Sequence, residues 1–429
     1  MDIRSKRLAV VAAACLFTWS GGAVAQQPAS IGASTSASIN ASISAPIDLA
    51  AAIRLAFGQP ALRAAAHEAA AGDAIAARAG NYPNPELAWL REGQQAGTRT
   101  TTLQISQPVE LGGKRQARIA LAQGEAALAH SELAARKRAI RADVIAAYYT
   151  VLVGLEQQRL AQALTGLAQR STEVAARRVA AGKVSPIDET RARLAALDAA
   201  TGLMEAGAAL AIARTRLGAL IGRPPQAAEA IVPAGKADAL PELPPLAALL
   251  ERSGEAGAIR RARGQLAAQE AQAGVERAAR IPDLTVTLGT QRDDQIGHRQ
   301  TVVGVSLPLP LFDRNQGRLA AALRRTDKAR DELAAARIDT AAELTAAATR
   351  YATARAEAAR LHDDLIPSAA SAYDLTLRGF EAGKFAFLDV LDAQRTWFQV
   401  QSRHAGALLD AWRAYADIER LAGADQPNE

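Results

Sequence analysis

The 429-residue sequence is short of sulfur and of large side chains, with one cysteine, two methionines, seven Phe, six Tyr and four Trp. So few aromatics cannot fill a thick globular interior at this length. Long apolar runs are missing too. Outside the N-terminus no stretch of about 18 uninterrupted apolar residues occurs and the mean hydropathy is near zero, which excludes a polytopic helical membrane protein. Collagen-like and disulfide-rich classes are excluded by the same composition. What is abundant is alanine, about a quarter of the chain. Such sequences favour long helices packed closely together.

The first 25 residues direct export. A basic start (Arg4, Lys6, Arg7), an apolar stretch from Leu8 to Trp19 and Ala23-Val24-Ala25 before Gln26 form a secretory signal, so the mature chain is expected to begin near Gln26. Cys15 lies in the apolar stretch with Ala12, not Leu, three positions before it, which makes lipid attachment there the lesser alternative. Once the signal is removed no cysteine remains, hence no disulfide, thiolate zinc site or thiol nucleophile. Export also bears on charge. Lys and Arg number 50 against 44 Asp and Glu, with a pI near 9.6, which would otherwise suggest nucleic acid. Loss of the signal leaves 47 against 43. Glu132, Arg136, Lys137, Arg138, Arg141 and Asp143 interleave as on a solvated helix face with local ion pairs.

The chain is written twice. At an offset of about 200 residues, Ile105-Ser106-Gln107-Pro108-Val109-Glu110-Leu111 lies over Val305-Ser306-Leu307-Pro308-Leu309-Pro310-Leu311. Ala181-Gly182-Lys183 with Ile187-Asp188 lies over Ala382-Gly383-Lys384 with Leu388-Asp389, and Leu220-Ile221-Gly222 over Leu421-Ala422-Gly423. The expected organisation is a signal peptide at 1–25, a flexible Ser/Ala-rich leader at 26–48, a first repeat at 49–222 and a Pro-rich connector at 223–245. A second repeat at 246–423 and a tail at 424–429 follow.

Each repeat reads as helix, two short strands, a very long helix, a tight turn and a returning helix. In the first, a helix runs from about Leu49 to Gly80 with a break at Pro60. Strands lie near Glu86 to Arg91 and Thr100 to Ser106, and the long helix covers Lys114 to Ala180. In the second, the helix runs from Leu246 to Arg280, the strands lie near Asp283 to Gln291 and Gln300 to Leu307, and the long helix covers Gln316 to Phe380. A helix of about 65 residues is roughly 100 Å long. Leu319, Leu323, Leu333, Leu344, Tyr351, Ala358, Leu361 and Leu365 follow a 3.5-residue period, the mark of coiled-coil packing. The five histidines are scattered in sequence and read as surface or interface residues. No metal site, no cofactor and no catalytic constellation is expected.

Along the strands, Leu103 and Ile105, then Leu284, Val286 and Leu288, then Val303, Val305 and Leu307 alternate with small or polar residues. A barrel wall with lipid outside and water inside has this pattern, as does a half-buried soluble strand. The signal peptide and the polar loops Glu92 to Arg99 and Arg292 to Arg299 favour the barrel. Four strands cannot close one, and an open edge in lipid leaves backbone groups unpaired, so several chains must share it.

With these features the sequence resembles the TolC-type outer-membrane factors, the exit ducts of tripartite efflux pumps and type I secretion systems. The resemblance spans nearly all of the mature chain. Its most specific part is Gly379-Phe380-Glu381-Ala382-Gly383-Lys384 with Leu388-Asp389-Val390-Leu391-Asp392-Ala393. Within the family it is similar to the cobalt-zinc-cadmium efflux branch, through Tyr82-Pro83-Asn84-Pro85-Glu86-Leu87, Gln107-Pro108-Val109-Glu110-Leu111-Gly112-Gly113-Lys114-Arg115, and Leu307 to Gly317. The resemblance implies a mainly α fold with a small β part. Three chains would share a 12-stranded outer-membrane barrel above an α-barrel that extends into the periplasm. Implied partners are a periplasmic adaptor and an inner-membrane resistance-nodulation-division pump, with no nucleic acid and no chemistry performed by this subunit. A multidrug or type I protein-secretion duct of the same fold is the near alternative, and a periplasmic structural coiled-coil protein the distant one.

Two sites follow from the resemblance. The turns Gly182-Lys183-Val184 and Gly383-Lys384-Phe385 resemble the tips onto which an adaptor docks, with Phe385 the leading contact because an aromatic at a solvated turn calls for a partner. Asp389 and Asp392 match acidic rings across the family's periplasmic aperture, and Asp188 matches the first hairpin's gate. Asp188 follows Ser185 and Pro186 and so equally fits a helix start, and Asp389 has the same positional explanation. The family's basic gating residue is replaced here, with Phe385 near the position.

Overall fold

The computed structural model describes residues 46–93, 95, 97–224 and 231–422. The expected signal peptide, the leader up to Ala45 and the tail lie outside the described residues. Helices α1 (Leu49–Phe57) and α2 (Pro60–Arg78) lead to strands β1 (Glu86–Glu92) and β2 (Thr100–Val109), then to α3 (Lys114–Ala180) and its return, α4 (Pro186–Leu220). The second half repeats the order with α5 (Leu246–Ser253), α6 (Gly257–Ala278), β3 (Leu284–Asp293), β4 (Arg299–Ser306), α7 (Gln316–Arg360), α8 (Ile366–Glu381) and α9 (Phe387–Ala422). α3, with 67 residues, is about 100 Å long.

Two breaks depart from the expected helices. The helix expected over Leu246 to Arg280 is split between α5 and α6, where the Ser253 hydroxyl donates to the Leu250 carbonyl at 2.7 Å and the backbone turns at Gly254 to Ala256. Pro60 betrays the matching break in the first half; here no proline marks it. The helix expected over Gln316 to Phe380 is interrupted by one π-helical turn, Leu361–Leu365. Pro367 explains the position. It has no N–H to give to the carbonyl four residues back and its ring crowds that group, and a widened turn relieves both.

The long helices pack along heptad seams, and of the expected positions Leu333, Leu344, Tyr351, Ala358 and Leu361 are buried in them. On α7 the buried positions are Ala322, Thr326, Ala329, Leu333, Thr340, Leu344, Ala347, Tyr351, Ala354 and Ala358, a repeat of fours and threes. Leu323 and Leu365 point outward. Small residues make the seam because they let backbones approach, and threonines serve both sides of it. The Thr165 hydroxyl of α3 lies 2.9 Å from the Ala161 carbonyl of its own helix and 3.1 Å from Ala199 of α4. Each half has an equivalent core. Ala52, Ala56, Val144, Tyr148, Leu210 and Leu217 form one, and Leu249, Leu344, Tyr351, Ala411 and Ile418 the other.

Aromatic side chains hold the connector across both cores. The Tyr148 hydroxyl reaches the Ala234 carbonyl at 2.5 Å, Trp412 Nε1 donates to Ala237 at 2.7 Å, and Tyr351 bonds the Pro241 carbonyl. Tyr149 stacks on Trp412 with ring centroids 3.3 Å apart. The motifs Tyr82 to Leu87 and Gln107 to Arg115 build the junction between helices and sheet. Arg118 binds Glu110 and the Ala79 and Asn81 carbonyls, and Lys114 pairs with Asp283 at 2.7 Å. At the matching junction Asn315 adopts a left-handed backbone (φ 58°), and its side-chain amide is fixed by Glu276.

The four strands form one antiparallel sheet in the order β1-β2-β3-β4, which leaves β1 and β4 as free edges in the single chain. Its register sets Leu87 beside Ile105, Ile105 beside Leu288 and Leu288 beside Val303, an apolar row across all four strands. Every member of that row is exposed. Gln104, Ser106, Thr287 and Gln291 on the opposite face are half-buried, and the Ser106 and Thr287 hydroxyls meet at 3.0 Å. The covered face is polar and the open face apolar, the inverse of a half-buried soluble strand. One described helix, α4, is long and apolar enough to cross a membrane by length and composition. Alanine supplies much of its apolarity, and Leu210, Ala213 and Leu217 pack on α3.

Candidate functional site at the hairpin tips

Both hairpins turn in the same way. α3 ends with Gly182 at φ +69°, its N–H donating to Val179 and that of Lys183 to Arg178. α8 ends with Gly383 at φ +73°, with the same bonds from Gly383 to Phe380 and from Lys384 to Gly379. These crossed bonds satisfy the last carbonyls of the helix and need a left-handed residue, which only glycine adopts without strain. Ser185 then caps α4 with Pro186 in first position. The second hairpin has Ala386 where the first has Ser185, and Asp389 compensates by accepting the Ala386 N–H at 3.0 Å.

The three predicted aperture carboxylates thus have three different settings. Asp389 is tied back into its own turn as a cap. Asp188 lies 3.8 Å from Arg191 of the next turn. Asp392 is exposed and makes no hydrogen bond or ion pair among the described residues. It lines a groove of about 820 Å³ between α4 and α9 together with Arg191, Asp198, Gln394 and Arg395. The groove brings Asp392 and Asp188's partner Arg191 together; Asp389 does not line it. Gln394 is 4% exposed and its Oε1 has no hydrogen-bond partner among the described residues.

Phe385 folds back over α8. A Cβ placed on Gly379 would stand 2.1 Å from Phe385 Cδ2, so the ring lies against a backbone that has no side chain there, and half of the residue stays open to solvent. A residue not anticipated from the sequence joins the two tips. The Arg178 guanidinium lies 4.0 Å from the centroid of the Phe380 ring and donates to the Phe380 carbonyl at 3.4 Å. Its side-chain type would have signalled this only if the hairpins were known to be neighbours. Beneath it Ala175, Ala192, Tyr373, Phe380, Phe387 and Val390 form the apolar core that binds the hairpins together.

Further along the bundle, a second pocket of about 620 Å³ lies between the connector, α3, the π-turn and α9. It brings together His362 and His404, 42 positions apart in sequence, with ring centroids 5.5 Å apart. Burial, then the neighbouring His362, hold His404 below its ordinary value of 6.5. Two of the histidines expected to be scattered are therefore a pair. No group of three or more His, Cys, Asp or Glu side chains able to hold a metal occurs among the described residues.

The pattern of the family described as "Outer membrane efflux protein" matches this chain twice, over residues 54–223 and 252–424. The chain belongs to the outer membrane efflux protein family. The two matches fall on the two halves of the duplication. Among curated proteins, the cobalt-zinc-cadmium resistance protein CzcC of Cupriavidus metallidurans is 43% identical over 380 residues, covering 88% of this chain and 90% of that protein. The nickel-cobalt-cadmium resistance protein NccC of Alcaligenes xylosoxydans xylosoxydans is 32% identical over 68% of this chain and 66% of its own length. A crystal structure of the transmembrane channel CusC superposes with a TM-score of 0.74 at 18% identity, covering 87% of this chain and 92% of that one, which shows the fold alone. As a member of this family the chain is an outer-membrane efflux duct, from a family of channels rather than enzymes.

Proposed function

We propose that this duct is the outer-membrane exit of a tripartite heavy-metal efflux pump, passing divalent cations such as cobalt, zinc and cadmium outward without chemistry of its own. The 43% identity to a cobalt-zinc-cadmium resistance protein along nearly the whole chain carries this reading. Three chains share one barrel and one helical duct. The free edges of β1 and β4 support this assembly, as do the exposed Leu194, Leu197, Met204 and Ile212 of α4 and the unpartnered Gln394 Oε1. The apolar face of the sheet meets lipid, and the signal peptide is removed near Ala25. The inner-membrane pump and the periplasmic adaptor deliver the cations. The adaptor docks on Gly182-Lys183-Val184 and Gly383-Lys384-Phe385, and Asp392 with Asp188 lines the aperture, while Asp389 serves mainly its own turn.

Growth of a deletion strain on zinc, cobalt, cadmium, nickel, copper and silver salts, beside hydrophobic drugs and detergents, tests the substrate. Sensitivity to divalent metals, reversed by the cloned chain, is the expected result. Sensitivity to drugs alone would overturn the metal reading in favour of a multidrug duct. The aperture is tested in planar bilayers, where Asp392→Asn should lower cation selectivity while Asp389→Asn leaves it unchanged, because only Asp392 lines the groove.

A further inference from the structure

We infer that the pocket between the connector and the π-turn is a binding site for a divalent transition-metal cation, held by the imidazoles of His362 and His404. Their ring centroids are 5.5 Å apart with planes inclined at 34°. Two imidazoles on one tetrahedral ion, with metal–nitrogen bonds of about 2.0–2.1 Å, bring their centroids to about 5 Å, which is close to the spacing of this pair. Neither ring makes a hydrogen bond to protein among the described residues, which leaves their nitrogens available.

The surroundings suit a cation of this kind. Asp238 of the connector and Glu156 of α3 both lie within electrostatic reach of His404. Glu156 is engaged by Arg159 through bonds of 2.8 and 2.6 Å, so Asp238 is the anion left to the pair. The pocket has room for coordinated water, which completes the shell because no third ligating side chain is gathered there. Imidazole without thiolate selects zinc, cobalt, nickel or copper and discriminates against magnesium and calcium. His362 is carried by the π-turn, an irregularity that recurs at functional sites. A bound ion would cross-link the two arms of the second hairpin, the π-turn and α9. The pocket shares no lining residue with the groove at the tips, so the site is independent of what the duct exports.

The test uses the full chain without a polyhistidine tag, purified in detergent and stripped with a chelator. Cobalt(II) titration followed by visible absorption should saturate at one ion per chain, with zinc displacing it and excess magnesium not. His362→Ala and His404→Ala should each weaken Kd about tenfold or more, whereas His130→Ala, whose ring pairs with Asp73 at 3.0 Å, should not. Absence of saturable binding, or binding that survives both substitutions, would overturn the site. Should either variant fail to assemble, the wild-type chain decides. Zinc should slow diethyl pyrocarbonate labelling of His362 and His404 but not of His67, and equal labelling with and without zinc would refute the proposal. A deletion strain insensitive to metals would overturn the export reading and leave this binding untouched.

Discussion

Gly379 has no side chain, and the Phe385 ring occupies the space. Gly379→Ala puts a methyl where that ring lies, so Phe385 must leave its seat while the tip's backbone bonds persist. Metal resistance should fall, as it should for Phe385→Asp, with trimers still present in the membrane, and adding Phe385→Ala to Gly379→Ala should cause little further loss, because both remove one contact. Unchanged resistance would remove Phe385 from the adaptor surface. Tyr148 illustrates the opposite case, a polar atom whose role is internal. Burial, reinforced by Tyr149, raises its phenol from the ordinary 10.0 to about 12. The folded state thus keeps the proton longer than the unfolded one, and this contribution is whole below about pH 10 and lost as pH rises to about 12. Thermal melts across that window should show the midpoint falling, and Tyr148→Phe should flatten that part of the profile. It should also cost about 1–2 kcal/mol at neutral pH through the bonds to the Ile47 and Ala234 carbonyls.

Among the elements, those with a local signal were legible in the sequence and those made by distant partners were not. Lys114 to Ala180 reads as one helix because nothing within it breaks the pattern, and Pro60 and the Gly182 and Gly383 turns announce themselves. The π-turn was missed although Pro367 marks it, because a widened turn keeps the helix going where a break would be expected. On α7 the large residues Leu333, Leu344 and Tyr351 show the seam, whereas the Ala and Thr positions between them, selected by close approach, carry little hydrophobic signal. At the candidate site, the turns were visible in residue type alone. The Arg178 contact with Phe380, the cap made by Asp389 and the His362–His404 pair depend on which helices lie side by side. The turns offer a clean measurement. A Cβ on Gly383 meets nothing within 4 Å, so Gly383→Ala should cost only the left-handed backbone penalty of about 1–2 kcal/mol. Ala382→Gly beside it should change the thermal midpoint much less, and equal effects would mean that the turn is not built on a left-handed residue.

For the molecule as a whole, the decisive feature is a sheet that hides its polar face and shows its apolar one. A soluble protein has no use for Leu87, Ile105, Leu288 and Val303 in one open row, and a chain with two free edges cannot shelter them alone. Shared closure among copies resolves both, since edges pair with edges and the row turns toward hydrocarbon while Gln104, Ser106 and Thr287 face the lumen. Neighbouring positions on one strand then have opposite tolerances. Leu288→Arg sets a charge in the lipid-facing row and should cost about 2–4 kcal/mol near the bilayer midplane, lowering the yield of trimers in the outer membrane. Thr287→Arg, one residue away, enters the water-filled side and should leave that yield near wild type while altering conductance in planar bilayers. Equal losses from both substitutions would mean that neither face is lumenal, and the reverse order would place lipid on the polar side, against the half-burial of Gln104, Ser106 and Thr287 on the two central strands.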